Sequence, residues 1–147
     1  MALAVPQASP AQNVRITKLS DVTFGSISNL AVDASAAQNI CVFSNASGRR
    51  YRVTATGSAP GGQFALASGS SLLDYDVQWN AASGQSSGIP LSPSVTQTGL
   101  VSAATQQTCN SGPATSASLI LLLRSTALSS ATAGSYSGTL TLIIGAD

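Results

Sequence analysis

Apolar and polar residues alternate with a period of two along most of this chain. That period is typical of β-strands that bury one face and expose the other. The alternation is most regular from Leu73 to Trp79 and, near the end of the chain, from Thr139 to Ile144. No helical pattern of eight or more residues is visible, so the sequence predicts an all-β protein. Shorter alternating or apolar segments predict the remaining strands, near Val14, Val22, Asn39–Phe43, Tyr51, Phe64 and Ala117–Leu123.

Segments dense in Ser, Gly, Asn and Pro separate the predicted strands at intervals of roughly ten residues. Such spacing favours a single antiparallel β-sandwich. The longest loops are expected from Asn80 to Pro93 and from Gln106 to Ser116. Residues 1–13, rich in Ala, Pro and Gln, are expected to form an extended N-terminal arm that reaches about residue 19 in a longer alternative. Residues 14–147 then form the folded domain.

The last predicted strand presents Leu140, Leu142 and Ile144 on one face and ends close to Asp147. An apolar strand at the edge of a sheet is an aggregation hazard unless its free backbone groups are paired or covered. How this strand is covered is therefore the question on which the function depends.

The low charge of the chain excludes several classes of partner. Only 7% of the residues are charged and the formal net charge is +1, whereas an average domain has about 25% charged residues. Such a chain creates no strong field that would attract nucleic acid or an anionic membrane surface. There is also no apolar run of 18 residues, so no membrane-spanning helix is expected.

Candidate catalytic chemistry is scarce. The chain contains no His, and its five acidic residues are all Asp, which removes the usual Ser-His-Asp and Cys-His arrangements. The one close carboxylate pair, Asp74 and Asp76, is expected on the solvated face of a strand. No cluster has the spacing of a zinc site. The sequence thus predicts a protein that is not an enzyme and that uses no metal or cofactor.

The two cysteines, Cys41 and Cys109, form either a disulfide or a pair of buried thiols. A disulfide that closes a loop of roughly 70 residues would stabilise the fold by about 4 kcal/mol in the chain-entropy model. It would also place the protein in an oxidising compartment, the periplasm or the cell exterior.

Six segments, taken together and in order, carry a family resemblance: Asp21–Gly25, Cys41–Ser44, Tyr51–Gly57, Leu73–Trp79, Cys109 and Ala133–Leu142. Their order and spacing resemble the spore coat protein U domain family, which includes the pilins of archaic chaperone–usher pili. The resemblance covers about 125 residues, from Val14 to Ile144, and its most specific part is the closing Ala-Gly-Ser-Tyr-Ser-Gly-Thr.

The resemblance implies a secreted, Ig-like antiparallel β-sandwich that is incomplete and is completed by a donated strand. A periplasmic chaperone would supply that strand first, and an outer-membrane usher would take part in assembly. The N-terminal extension of the next copy would then replace the chaperone strand and produce a head-to-tail homo-oligomeric filament. The implied function is that of a structural pilin in a cell-surface pilus that supports adhesion and biofilm formation.

Within this interpretation, Leu140, Leu142 and Ile144 form one wall of the acceptor groove. If Val14 and Ile16 belong to the first strand of the domain, the donor lies in residues 1–12, with Leu3 and Val5 as its apolar positions. Alternatively, Val14 and Ile16 are themselves donor residues.

Two features of the sequence bear on the donor, the second of them a departure from the family pattern. Pro6 and Pro10 cannot donate to a β-ladder. Many family members also carry an additional Cys just after the donor segment, whereas no Cys precedes Cys41 here.

Two alternative functions remain. A tip adhesin or other terminal subunit would accept a strand without donating one, and its candidate contact loop is Asn80–Pro93 with Ile89 and Leu91. A secreted coat protein with a complete fold would need no donated strand.

Overall fold

A computed structural model describes residues 12–147 of the chain. The regular secondary structure in this part of the chain is almost entirely β-strand, with one short helix and single 3₁₀ turns at Ser47–Arg49 and Pro60–Gly62. In chain order, the elements are β1 (Val14–Thr17), β2 (Ala34–Ser44), β3 (Arg50–Gly57), β4 (Ala65–Ser68), β5 (Ser71–Asp74), β6 (Asp76–Asn80), β7 (Ile89–Leu91), β8 (Thr96–Val101), β9 (Ala117–Leu123), α1 (Ser125–Ser130) and β10 (Leu140–Ala146).

The strands form two sheets and a separate hairpin, and every pairing is antiparallel. One sheet has the order β1-β2-β9-β6-β7, the other has the order β10-β3-β8, and β4 pairs with β5. Alternate side chains of both sheets meet in one apolar core. The predicted all-β, Ig-like antiparallel sandwich is confirmed.

The centre of the core lies between β3 and β6, which belong to different sheets. Tyr51 and Trp79 are both fully buried there, and their rings pack edge to face with centroids 6.3 Å apart. Arg50 and Arg52, which flank Tyr51 in β3, are exposed. The alternation in the sequence therefore predicted both this strand and which of its faces is buried.

A second, smaller cluster lies on the outer face of β2. Cys41 and Cys109 form a disulfide there, with Cα atoms 6.0 Å apart, and they pack against Ala104 and Phe43. The disulfide attaches the irregular segment 102–116 to the sandwich. Of the two alternatives for these cysteines, the structure contains the disulfide.

The segment Leu73–Trp79 differs from its prediction in one respect. Leu73, Tyr75, Val77 and Trp79 are buried as the alternation predicts, but the segment is two strands rather than one. The Tyr75 N–H donates to the carbonyl of Phe64, at 3.0 Å, and the chain changes partner there. Residues before Tyr75 pair with β4, and residues after it pair with β9 and β7.

The prediction of one long loop from Asn80 to Pro93 is wrong. The segment contains β7, which pairs with β6, and Leu91 is buried in the core. Of Ile89 and Leu91, the two apolar residues of the candidate contact loop, only Ile89 is substantially exposed, at 42%. Strand β8 was not predicted, because only Leu100 of its side chains is buried and its sequence has no regular alternation.

Asp76 is an ion-pair partner. The Arg124 Nε donates to Asp76 Oδ2 at 2.7 Å, and a second guanidinium nitrogen lies 3.5 Å from Asp33. The three side chains are roughly half exposed.

Within residues 12–147, no three His, Cys, Asp or Glu side chains come together in a way that could hold a metal ion. Nor does that part of the chain contain a helix long and apolar enough to cross a membrane.

Candidate functional site

Strand β10 forms an edge of the smaller sheet. It pairs with β3 along its whole length, from Leu140 opposite Gly57 to Ala146 opposite Tyr51, without a register shift. Among the described strands, none pairs with its other edge. The inward side chains Leu140, Leu142 and Ile144 contact the core but are only half-buried. The core is therefore incompletely covered along β10.

The turn before β10 is held in place by hydrogen bonds from three of its residues. Ser137 exchanges two backbone hydrogen bonds with Ala67, at 2.8 and 3.0 Å. The Tyr136 hydroxyl donates to the Thr132 carbonyl at 2.6 Å, and the Thr139 N–H donates to a serine hydroxyl at the end of β3 at 2.9 Å. These bonds attach the turn to β4 and to the end of β3, and so position the start of β10.

Strand β1 lies close to β10 and forms the edge of the larger sheet. Val14 lies opposite Ser44 and Thr17 lies opposite Cys41. Val14 and Ile16 are half-buried against the core. Two sheet edges therefore meet at one border of the sandwich, and neither has a described strand on its free side.

After β1 the chain leaves the ladder. Lys18 adopts a positive φ of 66°, and the side chain of Gln38 then spans the gap between the chain and β2. The Gln38 amide nitrogen donates to the Ser20 carbonyl and its oxygen accepts from the Ser20 N–H, both at 3.0 Å. Gln38 lies in β2 beyond Cys41, the residue that pairs with the end of β1. The chain around Ser20 therefore continues along the same edge of β2 as β1.

The segment from Asp21 to Ser28 is not a strand, although its alternation predicted one. Val22, Phe24 and Ile27 pack against the core and are half-buried. The backbone groups of residues 21–28 make no hydrogen bond to another residue of the described range. The segment thus presents apolar side chains and free backbone groups together, like one strand of a ladder without its partner.

We call the region between these walls the border groove. One wall is β1 followed by Val22–Ile27, and the other wall is β10. Free backbone groups next to alternate, half-buried apolar side chains are the features that strand addition uses. The groove contains no titratable side chain among its inward-facing residues.

The two sheet edges at the opposite border of the sandwich are protected against strand addition. Strand β7 has three residues with Pro90 at its centre, and a proline has no N–H to offer a further strand. Strand β8 is irregular opposite Arg52, and the N–H of Gly99 is already bonded to the Asp147 carboxylate at 2.7 Å. Bulges and prolines are common devices against edge-to-edge association. Strand β10 has no proline, charge or bulge.

The residues singled out from the sequence are distributed as follows. Leu140, Leu142 and Ile144 lie together in the β10 wall, and Val14 and Ile16 lie in the opposite wall. Leu3 and Val5 lie outside the described residues. Sequence reasoning did not assign the third group, Val22, Phe24 and Ile27, to the site. Their alternation was the available signal, but it could not show that the segment lacks a strand partner.

No protein-family model matches the chain, and no curated protein matches it. Among solved structures, it is similar to a chain in the crystal structure of the CsuC–CsuE chaperone–tip adhesion subunit pre-assembly complex from archaic chaperone–usher Csu pili of Acinetobacter baumannii. The identity is 21% and the TM-score is 0.44. The alignment covers 91% of the present chain and 39% of the other, so the present chain spans well under half the length of that protein.

Proposed function

We propose that this chain is a structural pilin that polymerises by inserting a strand of one copy into the border groove of the next. The observation that carries the proposal is the contrast between sheet edges. Strand β10 is long, regular, uncharged and unprotected, and its inward side chains are half-buried. The two edges at the other border carry a proline and a bulge. The resemblance of the sequence to archaic pilins supports the same reading.

The arrangement of the walls supports a head-to-tail filament. Val14 lies opposite Ser44, and Ala146 lies opposite Tyr51. Because a short turn connects β2 to β3, Val14 and Ala146 lie at the same end of the sandwich. The chain that precedes β1 leaves the domain at this end.

The direction of the inserted strand then decides the type of assembly. A donor strand that runs antiparallel to β10 leaves the groove at its Leu140 end, so the domain that donates the strand lies beyond that end. Donor and acceptor sites then lie at opposite ends of each copy, and the contact repeats into an open filament. A donor strand that runs parallel to β10 would instead leave the groove at its Ala146 end. The Val14 ends of the two copies would then meet, and the two copies would form a closed dimer. We propose the antiparallel insertion.

Residues 1–13 are the proposed donor, with residues 14–147 as the acceptor domain. Val14 and Ile16 already pair with β2 of their own domain, which favours residues 1–13 over them as the donor. Leu3 and Val5 are two residues apart in the sequence, the spacing that places two side chains on one face of a strand. That spacing matches the spacing of Leu140, Leu142 and Ile144.

The proposed setting is a cell-surface pilus assembled through the periplasm. A periplasmic chaperone would occupy the border groove before assembly, since an exposed apolar edge would otherwise aggregate. An outer-membrane usher, adhesion and biofilm formation belong to the same proposal. The disulfide between Cys41 and Cys109 fits an oxidising compartment.

A terminal subunit is the second candidate, because Pro6 and Pro10 weaken residues 1–13 as a donor. Such a subunit would bind a donated strand but would form no multimers by itself.

Deletion of residues 2–12 tests the proposal. The full chain is expected to form multimers that survive unheated detergent gels, and the shortened chain is expected to be monomeric. A peptide of residues 1–13 added to the shortened chain should raise its melting temperature, whereas the same peptide with Leu3→Asp and Val5→Asp should not. Multimers of the shortened chain would contradict the donor assignment. A full chain that stays monomeric but binds the peptide would support the terminal subunit instead.

A further inference from the structure

We propose that the charged side chains at the two ends of the sandwich select head-to-tail assembly over the closed dimer. The Val14 end of the domain is basic and the Leu140 end is acidic. Unlike ends attract when copies follow one another in a filament, whereas two basic ends repel when a dimer closes. The inference rests on the proposed function, and it assigns a contact between successive copies that lies outside the border groove.

Exposed arginines surround the Val14 end. They are Arg15, Arg49, Arg50 and Arg52. Each belongs to the first residues of β1 or β3, or to the turn between β2 and β3, and so lies within about 7 Å of this end along a strand. Within residues 12–147, none of them forms an ion pair. Among the described residues Asp147 is the one acidic side chain here, so four arginines against one aspartate leave a formal charge of +3.

The Leu140 end carries Asp33, Asp74, Asp76 and Arg124. Strand β2 begins here, directly after Asp33, and runs to the Val14 end. The Arg124 guanidinium bonds to Asp76 at 2.7 Å and lies 3.5 Å from Asp33. Asp74 is exposed at the end of β5, whose partner β4 bonds to the turn before β10. Three aspartates against one arginine leave this end with a formal charge of −2.

The two remaining charges lie between the ends. Lys18 follows β1, and Asp21 follows Ser20, which bonds to Gln38 partway along β2. Because these two charges cancel, the formal net charge of +1 conceals a separation of charge along the strand direction.

This separation supplies a choice that the border groove does not make by itself. The free backbone groups of a strand edge can bond to either a parallel or an antiparallel partner. Complementary charges raise the rate of association and orient the partners, whereas like charges disfavour the wrong arrangement. A filament contact joins ends of +3 and −2, and a closed dimer joins two ends of +3.

Reversal of one aspartate tests the inference in the full chain. The protein is refolded from denaturant at about 10 mM and about 1 M salt, where charges are screened beyond about 30 Å and about 3 Å. The rate at which detergent-stable multimers appear is measured on unheated gels. The unaltered chain should assemble about ten-fold faster at the lower salt concentration. Asp74→Lys neutralises the acidic end and should lose most of that difference.

Two matched controls change the same charge between the ends. Asp21→Lys gives the same net charge as Asp74→Lys but leaves both ends unaltered, so it should behave like the unaltered chain. Arg49→Asp weakens the basic end and should also slow assembly at low salt. Its control is Lys18→Asp, because Arg49 and Lys18 both have a positive φ, of 55° and 66°. Tryptophan fluorescence shows whether all variants fold at the same rate before they assemble.

Cross-linking tests the contact directly. Arg49→Lys introduces an amine at the basic end, and a carbodiimide joins amines to carboxylates that they contact. Multimers that combine isotopically labelled and unlabelled copies should give amides between position 49 of one copy and Asp74 or Asp76 of another. The unaltered chain, treated in the same way, is the control.

The outcomes separate the inference from the proposed function. If the unaltered chain forms multimers and Asp74→Lys assembles as fast as Asp21→Lys at low salt, the inference fails and the proposed function stands. The same holds if position 49 is linked to no aspartate of the Leu140 end of another copy. If the unaltered chain forms no multimers at either salt concentration, the proposed function fails and the inference falls with it.

Discussion

The indole nitrogen of Trp79 donates a 3.0 Å hydrogen bond to the hydroxyl of Tyr51 and so joins the two sheets at the centre of the core. Both side chains are fully buried. A polar contact at this depth is stabilising only while both partners are present, since a buried group that loses its partner cannot turn to water.

Tyr51→Phe is therefore expected to destabilise the fold. It removes the acceptor of the Trp79 N–H and leaves that donor unsatisfied in the core, at a cost of about 1–3 kcal/mol in the free energy of unfolding. Urea denaturation followed by tryptophan fluorescence measures the change. Tyr75→Phe is the matched control, because Tyr75 is also buried as a residue, but its hydroxyl is not a sealed polar atom, so its removal should cost less. An equal cost for both variants would show that the hydrogen bond contributes nothing specific.

The same tyrosine predicts a loss of stability at alkaline pH. Burial raises the pKa of Tyr51 to about 12, and the hydrogen bond from Trp79 offsets part of this shift. An unfolded tyrosine has a pKa of about 10. Because the folded value is the higher one, the contribution of Tyr51 is intact below pH 10 and is lost as the pH rises toward 12, by about 1.4 kcal/mol per pH unit.

Denaturation midpoints measured between pH 9 and pH 12 check this expectation. Tyr51→Phe should have a flatter profile than the unaltered protein over that range. Parallel profiles would assign the alkaline loss of stability to other groups.

Two neighbouring residues of β10 give a matched test of the border groove. Leu142 faces the groove and is half-buried, whereas Ile143 faces outward and is 61% exposed. Leu142→Thr removes apolar surface that an inserted strand would cover, so multimers should dissociate at a lower temperature. Ile143→Thr makes a similar change in size and polarity on the other face and should leave that temperature nearly unchanged.

Heating a series of samples before detergent electrophoresis gives both dissociation temperatures. A larger effect of Ile143→Thr would place the subunit contact on the outer face of the sheet instead of in the groove.

The disulfide is expected to contribute a large part of the stability. Cys41 and Cys109 are separated by 68 positions, so their bond restricts the unfolded chain by about 4 kcal/mol in the chain-entropy model. The double variant Cys41→Ala/Cys109→Ala should lose a comparable amount in chemical denaturation. Mass spectrometry of the unaltered protein should show a gain of two hydrogens on reduction. An unchanged mass would mean that the thiols are free.

The sequence by itself determined the class of fold and the direction in which most side chains point. Alternation decides locally which face of a strand is buried, and so Tyr51, Val77 and Trp79 could be assigned to the core without a structure. The absence of His likewise limited the chemistry before any fold was known. The strand from Leu140 to Ile144 was recognisable for the same local reason.

Only the tertiary structure decided which strands are neighbours and which edges stay free. Alternation says nothing about partners, because a ladder forms between segments that are distant in sequence. The chain therefore did not reveal that Tyr75 divides one apparent strand or that Val22 and Phe24 belong to a segment without a ladder. The groove also depends on long-range pairing. Strand β10 forms one of its walls because β3 pairs with one edge of β10 and no described strand pairs with the other edge.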